Sequence, residues 1–264
     1  MRMLSASLMI VLVIACSVAK PGAGGSKDEL IVMSYNIHHA NPPSKPGLID
    51  IDAIAAVINK HQPDIVALQE VDVNTGRSKM NEAVVLAEKT KMNFYFAKAI
   101  DHDGGDYGVA ILSRLPLQGG TTHKLPTLAG TGGEPRVLAT AFIERNGKKI
   151  VIACTHLDAQ RSDTNRVLQV NAIHELLKAE TNPVVIAGDL NATAGGLVIN
   201  TFDQQFTRTC VQNCGFTIPQ VNPNKTIDFI GFKPATAFTV LSHAVIDEPY
   251  ASDHLPVVAK LKVR

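Results

Sequence analysis

Short runs of apolar and β-branched residues recur along almost the whole chain, and no other feature narrows its fold so far. They lie at residues 30–35, 65–68, 109–112, 137–143, 150–155, 184–187, 227–230 and 257–263, several bounded by Gly, Pro or Asn. Runs of this length and composition predict strands rather than helices. Two intervening stretches have helical spacing instead. Asp50 or Asp52 can cap a helix carrying Ile51, Ile54 and Ile58 that ends before His61-Gln62-Pro63. Residues 164–179 place Val167, Val170, Ile173 and Leu177 on one face. Asn146-Gly147, between two strand-like runs, carries the signal of a tight hairpin and makes those runs antiparallel neighbours. Hairpins combined with strand–helix alternation predict mixed rather than purely parallel sheets.

The 264 residues, 45% hydrophobic and 19% charged, are enough to bury the core of one large domain and exclude disordered or fibrous classes. No internal repeat is present. Residues 3–15 form an apolar run after Arg2, the length of a secretory core and too short to span a bilayer, so the chain is expected to be exported. Val13-Ile14-Ala15-Cys16, followed by Ser17, resembles a bacterial lipoprotein signal in which Cys16 is lipidated. The plainer alternative is a cleaved signal peptide with an incidental cysteine. Either way the expected organisation is a signal peptide at 1–16, a Pro/Gly/Ser tether at 17–28 and one folded domain at 29–264. The protein would be periplasmic, or membrane-anchored by lipid, if bacterial. No protein partner is expected, and the chain reads as a monomer.

A leader ending at Cys16 takes only Arg2 among the charged residues, so the formal charge falls from +1 to zero. Nucleic-acid binding draws on surplus Lys and Arg, which weakens that class of partner. Cys210 and Cys214 can pair in an oxidising compartment or remain two thiols. Cys154, inside an apolar run, reads as a buried small hydrophobe.

The informative polar residues stand at the ends of the apolar runs, where a rigid scaffold presents side chains on one rim. Asn36 follows residues 31–35, Glu70 follows 65–69, His156 follows 151–155, and Asp189 and Asn191 follow 184–188. Asp228 lies in Thr226-Ile227-Asp228-Phe229-Ile230, and Asp253-His254 precede the last run. Singly, each is explained as a turn cap or a structural histidine. Together, these carboxylates, carboxamides and imidazoles are the inventory that holds a hard divalent cation and stabilises a pentacoordinate phosphate.

Ser34-Tyr35-Asn36-Ile37, Leu68-Gln69-Glu70, residues 107–114, Thr155-His156-Leu157-Asp158, Gly188-Asp189-Leu190-Asn191, Thr226-Ile227-Asp228-Phe229-Ile230 and Ser252-Asp253-His254-Leu255-Pro256 resemble, in order, the motifs of the endonuclease/exonuclease/phosphatase superfamily. The resemblance implies an α/β fold, a DNase-I-like four-layer sandwich of two face-to-face mixed β-sheets flanked by helices, with a cleft at one end of the strands. It implies Mg2+ or Mn2+ held by Glu70 with Asn36 and Asp253, and water oriented or deprotonated by Asp189. Asn191 would hold a phosphate oxygen. His254, fixed by Asp228, and His156 would contact the scissile phosphate. Arg136 and Asp158 are weaker candidates for substrate binding, and His38 and His39 stand out because they follow Asn36 directly.

The implied reaction is in-line attack of water on a phosphodiester. The motifs name a reaction rather than a substrate. Loops 40–49, 101–107 and 125–135 lack interleaved basic and aromatic residues, and the chain has 5% aromatics and no Trp, so no base-stacking groove is advertised. His156 in Thr-His-Leu and the export signal resemble the sphingomyelinase-like and glycosylphosphatidylinositol-related branches of that superfamily, which implies a phospholipid or small phosphodiester. An exported nuclease for scavenging is the alternative, and a catalytically silent binding module is a third reading.

Overall fold

The structure, a computed structural model, describes residues 27–264. The expected signal peptide at 1–16, Cys16, and all but the last two tether residues lie outside the described residues. The strands in chain order are β1 (Glu29–Asn36), β2 (Ile65–Val73), β3 (Asn93–His102), β4 (Gly105–Ser113), β5 (Gln118–Leu125), β6 (Arg136–Arg145), β7 (Lys148–His156), β8 (Val184–Asp189), β9 (Thr207–Arg208), β10 (Asp228–Lys233), β11 (Phe238–Val245) and β12 (Val257–Val263). The α-helices are α1 (Ile51–His61), α2 (Glu82–Thr90), α3 (Thr164–Leu177) and α4 (Leu197–Phe202). Two mixed sheets of six strands result, ordered β11-β12-β1-β2-β4-β3 and β5-β6-β7-β8-β10-β9. Each holds one parallel pair, β1 with β2 across α1 and β7 with β8 across α3, and the other pairings are antiparallel.

The period of two along each strand sends alternate residues to two different cores. Val32, Ile65 and Ile111 meet Ile143, Ile152 and Val185 between the sheets. Met33 and Leu68, one position off, pack instead under Ile54 of α1 and Leu86 of α2. On the opposite outer face Val151 and Ile186 lie under Val170 and Ile173 of α3 and Phe202 of α4. With both faces covered, a central strand needs apolar residues at every position, which is why these strands read as continuous runs. Truncating such a side chain to Ala costs about 2–5 kcal/mol. The expected four layers are therefore those observed.

Local signals also act as the sequence predicts. Asp50 caps α1, its carboxylate accepting from the Ala53 N–H at 3.1 Å. Asn146 and Gly147 take φ of 52° and 69° in the β6–β7 hairpin, the conformation that Asn-Gly supplies. Cys210 and Cys214 are joined as a disulfide with Cα atoms 5.6 Å apart, and Cys154 is buried.

Candidate active site

Strand register does most of the assembly. His156, last in β7, lies opposite Asp189, last in β8, and Asp189 lies opposite Asp228, first in β10. Three motif residues thus stand in a row at one end of the second sheet. The first sheet contributes Asn36, last in β1, and Glu70, which sits at a register shift between Gln69 and Val71 with φ of 61°. A bulge of this kind turns a side chain away from strand alternation, and here it frees Glu70 from the face its neighbours dictate. Positive φ continues through His38, His39 and Ala40, at 48°, 42° and 54°. Non-glycine residues held there cost on the order of 1 kcal/mol each, so strain is concentrated beside Glu70.

Ser252 brings in the last member. Its hydroxyl donates to the Asn36 carbonyl at 2.7 Å and accepts from the His254 N–H at 3.2 Å. The turn before β12, which belongs to the first sheet, thereby swings His254 across to the second. There Nδ1 of His254 lies 2.9 Å from Asp228 Oδ2, and its Nε2 is 3.8 Å from Asp189 Oδ2. The Asn36 amide nitrogen donates to Glu70 Oε1 at 3.0 Å and to Asp189 Oδ2 at 3.1 Å, joining carboxylates from both sheets. Asn191 donates from its backbone to Asp189 Oδ1 at 2.8 Å, and from its side chain to the Leu157 carbonyl and His156 Nε2, both at 3.0 Å.

The titrating groups are pushed apart. Burial would raise Glu70, but the adjacent His39 imidazole, the Asn36 amide and the charge of His254 hold it well below the usual carboxylate range. Asp189 goes the other way: burial and then the neighbouring Asp228 carboxylate raise it. Burial works against a charged His254, yet Asp228, assisted by Asp189 and Asp253, outweighs it and raises the imidazole. His156 is pushed down to about 3 by burial and by Arg136. Since Asn191 donates to its Nε2, neutral His156 carries its proton on Nδ1. A neutral and a cationic imidazole therefore flank one carboxyl group that can hold a proton.

The family model for the endonuclease/exonuclease/phosphatase family matches residues 33–254, which takes in every motif residue of this cluster. The chain belongs to that family. Members of the family are phosphoesterase-type hydrolases, and this protein is one. It is 26% identical over 250 residues to the uncharacterised protein YbhP of Escherichia coli K12, covering 87% of this chain and 95% of that one. It is also 26% identical over 151 residues to Nocturnin of Drosophila melanogaster, a match that spans 53% of this chain and only 23% of that longer protein. Among solved structures, an endonuclease/exonuclease/phosphatase from Beutenbergia cavernae superposes with a TM-score of 0.73 at 26% identity, covering 89% of this chain and 72% of the other.

Family members act with a divalent cation, and the described residues offer one compact set of donors and, apart from it, one ionised carboxylate. Ligand atoms of Asp189, Asp228 and His254 lie within 4.8 Å of one another. That trio is already internally paired, and a cation there would displace the proton of His254. Glu70 is better suited: it is held ionised, and its side chain is 21% exposed where that of Asp189 is 2%. Asn36 turns its nitrogen to the carboxylates and its Oδ1 to the His38 N–H at 3.1 Å, so ligation through oxygen would require the amide to turn over. Asp253 is half-buried, with its carboxylate 3.4 Å from Ser252 Oγ.

Arg136 is buried, pairs with Glu134 at 3.2 Å and acts electrostatically on His156, which places it at the cleft. Asp158 is buried and accepts from the Asn165 amide at 3.1 Å, which ties it to α3 rather than to the hub. His39, singled out by position, has Nδ1 3.7 Å from Glu70 Oε2, whereas His38 turns its Nδ1 to the Asn41 carbonyl at 2.8 Å. Ser252 carried a signal that could have been used, since it sits in the Ser-Asp-His motif. Tyr107, on which the charge of Arg136 acts, likewise lies within the motif at residues 107–114.

Proposed function

We propose that the protein hydrolyses a phosphodiester, of a phospholipid or another small molecule, with Mg2+ or Mn2+ bound at Glu70 and assisted by Asn36 and Asp253. The observation that carries this reading is the pairing of Asp189, raised and able to accept a proton, with a His254 that Asp228 keeps charged. Asp189 orients the attacking water and takes its proton. His254 faces the phosphoryl oxygens as a cation and offsets the charge that grows on them. On substrate binding Asn191 turns from His156 Nε2 to donate to a further oxygen, His156 contacts the same phosphate once its proton has moved from Nδ1 to Nε2, and Arg136 lends charge from behind His156. Asp158 serves the substrate through the shape of its loop. The cation, when bound, polarises the phosphoryl group and neutralises its charge. The export signal read in the sequence, with Cys16 as a lipid anchor, would put this chemistry outside the cytoplasm.

Purified protein with Mg2+ or Mn2+ should hydrolyse bis-p-nitrophenyl phosphate and lose that activity in EDTA. A panel of sphingomyelin, phosphatidylinositol, plasmid DNA, RNA and a sugar monophosphate then ranks substrate classes. Hydrolysis of the nucleic acids alone would replace the lipid reading with that of a nuclease, and a preference for the monoester would overturn the diester reading. Inactivity towards all of them, with metal bound, would leave a silent binding module.

A further inference from the structure

One buried residue touches both of the segments that carry the Asp228–His254 pair. Thr217, fully buried, lies in the loop between β9 and β10. Its N–H donates to the Lys225 carbonyl at 2.7 Å, and its hydroxyl accepts from the N–H of Ile227, the residue before Asp228, at 3.2 Å. Its carbonyl accepts from the N–H of Leu255, the residue after His254, at 2.7 Å. Three positions on, the Gln220 N–H donates to the Asp253 carbonyl at 2.9 Å. Ile227 extends the link further, because its own carbonyl accepts from the N–H of Leu190, next to Asp189, at 2.8 Å. One threonine is therefore bonded through its hydroxyl to the neighbour of Asp228, through its carbonyl to the neighbour of His254, and by one further step to the neighbour of Asp189.

We propose that Thr217 is a positioning residue that fixes Asp228 and His254 in register across the two sheets, and that the disulfide-closed loop before it holds Thr217 in place. The proposal rests on the reading that this pair acts on the phosphate. His254 and Asp228 belong to different sheets, so the strand ladders alone do not set their separation. The loop that supplies the missing constraint is tied down at its start. Thr209 donates from its N–H to the Ile230 carbonyl at 2.9 Å and bonds His243 Nδ1 through its hydroxyl at 2.8 Å, and Cys210 is closed onto Cys214. Displacement of a catalytic group by about 1 Å costs on the order of 10²-fold in rate, so a constraint of this kind is read out in turnover rather than in binding. Valine keeps the volume of Thr217 but takes from the half-buried Ile227 N–H its acceptor.

The test uses Thr217→Val and Thr217→Ser in the full chain, with Mg2+ and bis-p-nitrophenyl phosphate. The valine variant should lose about tenfold or more in kcat with KM little changed, and the serine variant, which restores the acceptor, should recover most of it. In parallel, the proton resonance of the His254 Nδ1–H bonded to Asp228 should broaden or vanish with valine and return with serine. Unchanged kcat and an unchanged resonance in Thr217→Val overturn the proposal, as does a serine variant no better than valine. Should the valine variant fail to fold, the double variant Cys210→Ser with Cys214→Ser carries the test: kcat is expected to fall several-fold at constant KM, and a wild-type kcat refutes the role given to the loop. If wild-type protein cleaves nothing in the panel, the proposed reaction fails while the resonance still decides the part played by Thr217.

Discussion

Glu70 and Asp189 share a single amide donor, Asn36, yet their acidities move in opposite directions. Glu70 stands on a bulge of the first sheet, one-fifth exposed, with Asn36 donating to it, the His39 imidazole 3.7 Å away and no second carboxylate bonded to it. Asp189 ends a strand of the second sheet, almost wholly buried, with Asp228 opposite it in the ladder. Neighbouring donors and positive charge outweigh burial and keep one charged. Burial beside a like charge lets the other hold a proton. Two chemically equivalent groups are thus suited to different tasks, cation binding and proton transfer, and the division follows the boundary between the sheets.

The division is sharpest where the two are mutated in parallel. Asp189→Asn should lower kcat by about 10³-fold, with no recovery at high Mg2+, because a proton acceptor is gone. Glu70→Gln should instead raise the Mg2+ concentration needed for half-maximal rate and recover substantially at saturation. Recovery of the Asp189 variant by metal would exchange the two assignments. His254→Ala is expected to cost at least about 10²-fold. The pH profile of the wild type should rise through a midpoint above the ordinary carboxylate range as Asp189 loses its proton, and fall above the ordinary imidazole range as His254 loses its own. Asn36→Ala removes a bond that lowers both carboxyls, so it should shift the rising limb to higher pH with a loss of about tenfold near neutrality. A third buried carboxyl serves as the control.

Glu82, buried in the first turn of α2, is raised to about 7, chiefly by desolvation. In the folded state it keeps its proton above the pH at which the unfolded chain releases it, so the fold binds more protons between 4.5 and about 7 and stability falls as pH rises through that window. The full excursion is about 3 kcal/mol. Glu82→Gln should therefore raise Tm at pH 8 and flatten the slope between pH 5 and 7 while leaving kcat alone. A Tm that still falls across that window at the wild-type slope would locate the linkage elsewhere.

The strands legible in the sequence are the eight interior ones, and the four that were not, β3, β5, β9 and β11, are the sheet edges. Interior strands are covered on both faces and advertise themselves as unbroken apolar runs. Edge strands such as β5, with Gly119, Thr121, Thr122 and Lys124 exposed, mix polar and small residues and resemble loops. α2 and α4 were missed for a related reason, being 9 and 6 residues long with too few turns to display a period. The residues that gather in the candidate site were legible because strand ends carry most of them. What the sequence could not disclose is the bulge that turns Glu70, the pairing of His39 with it, and the backbone bonds of Thr217. A backbone carbonyl or amide leaves no mark on residue identity.

The first sheet is closed by pairing β1, which begins at Glu29, with β12, which ends at Val263. During synthesis β1 therefore keeps one edge unpaired until β12 has been made. His254 enters its place only when that final pairing forms. A chain still on the ribosome consequently holds the residues of the candidate site in separate pieces, and the site is assembled last of all by the strand that completes the sheet.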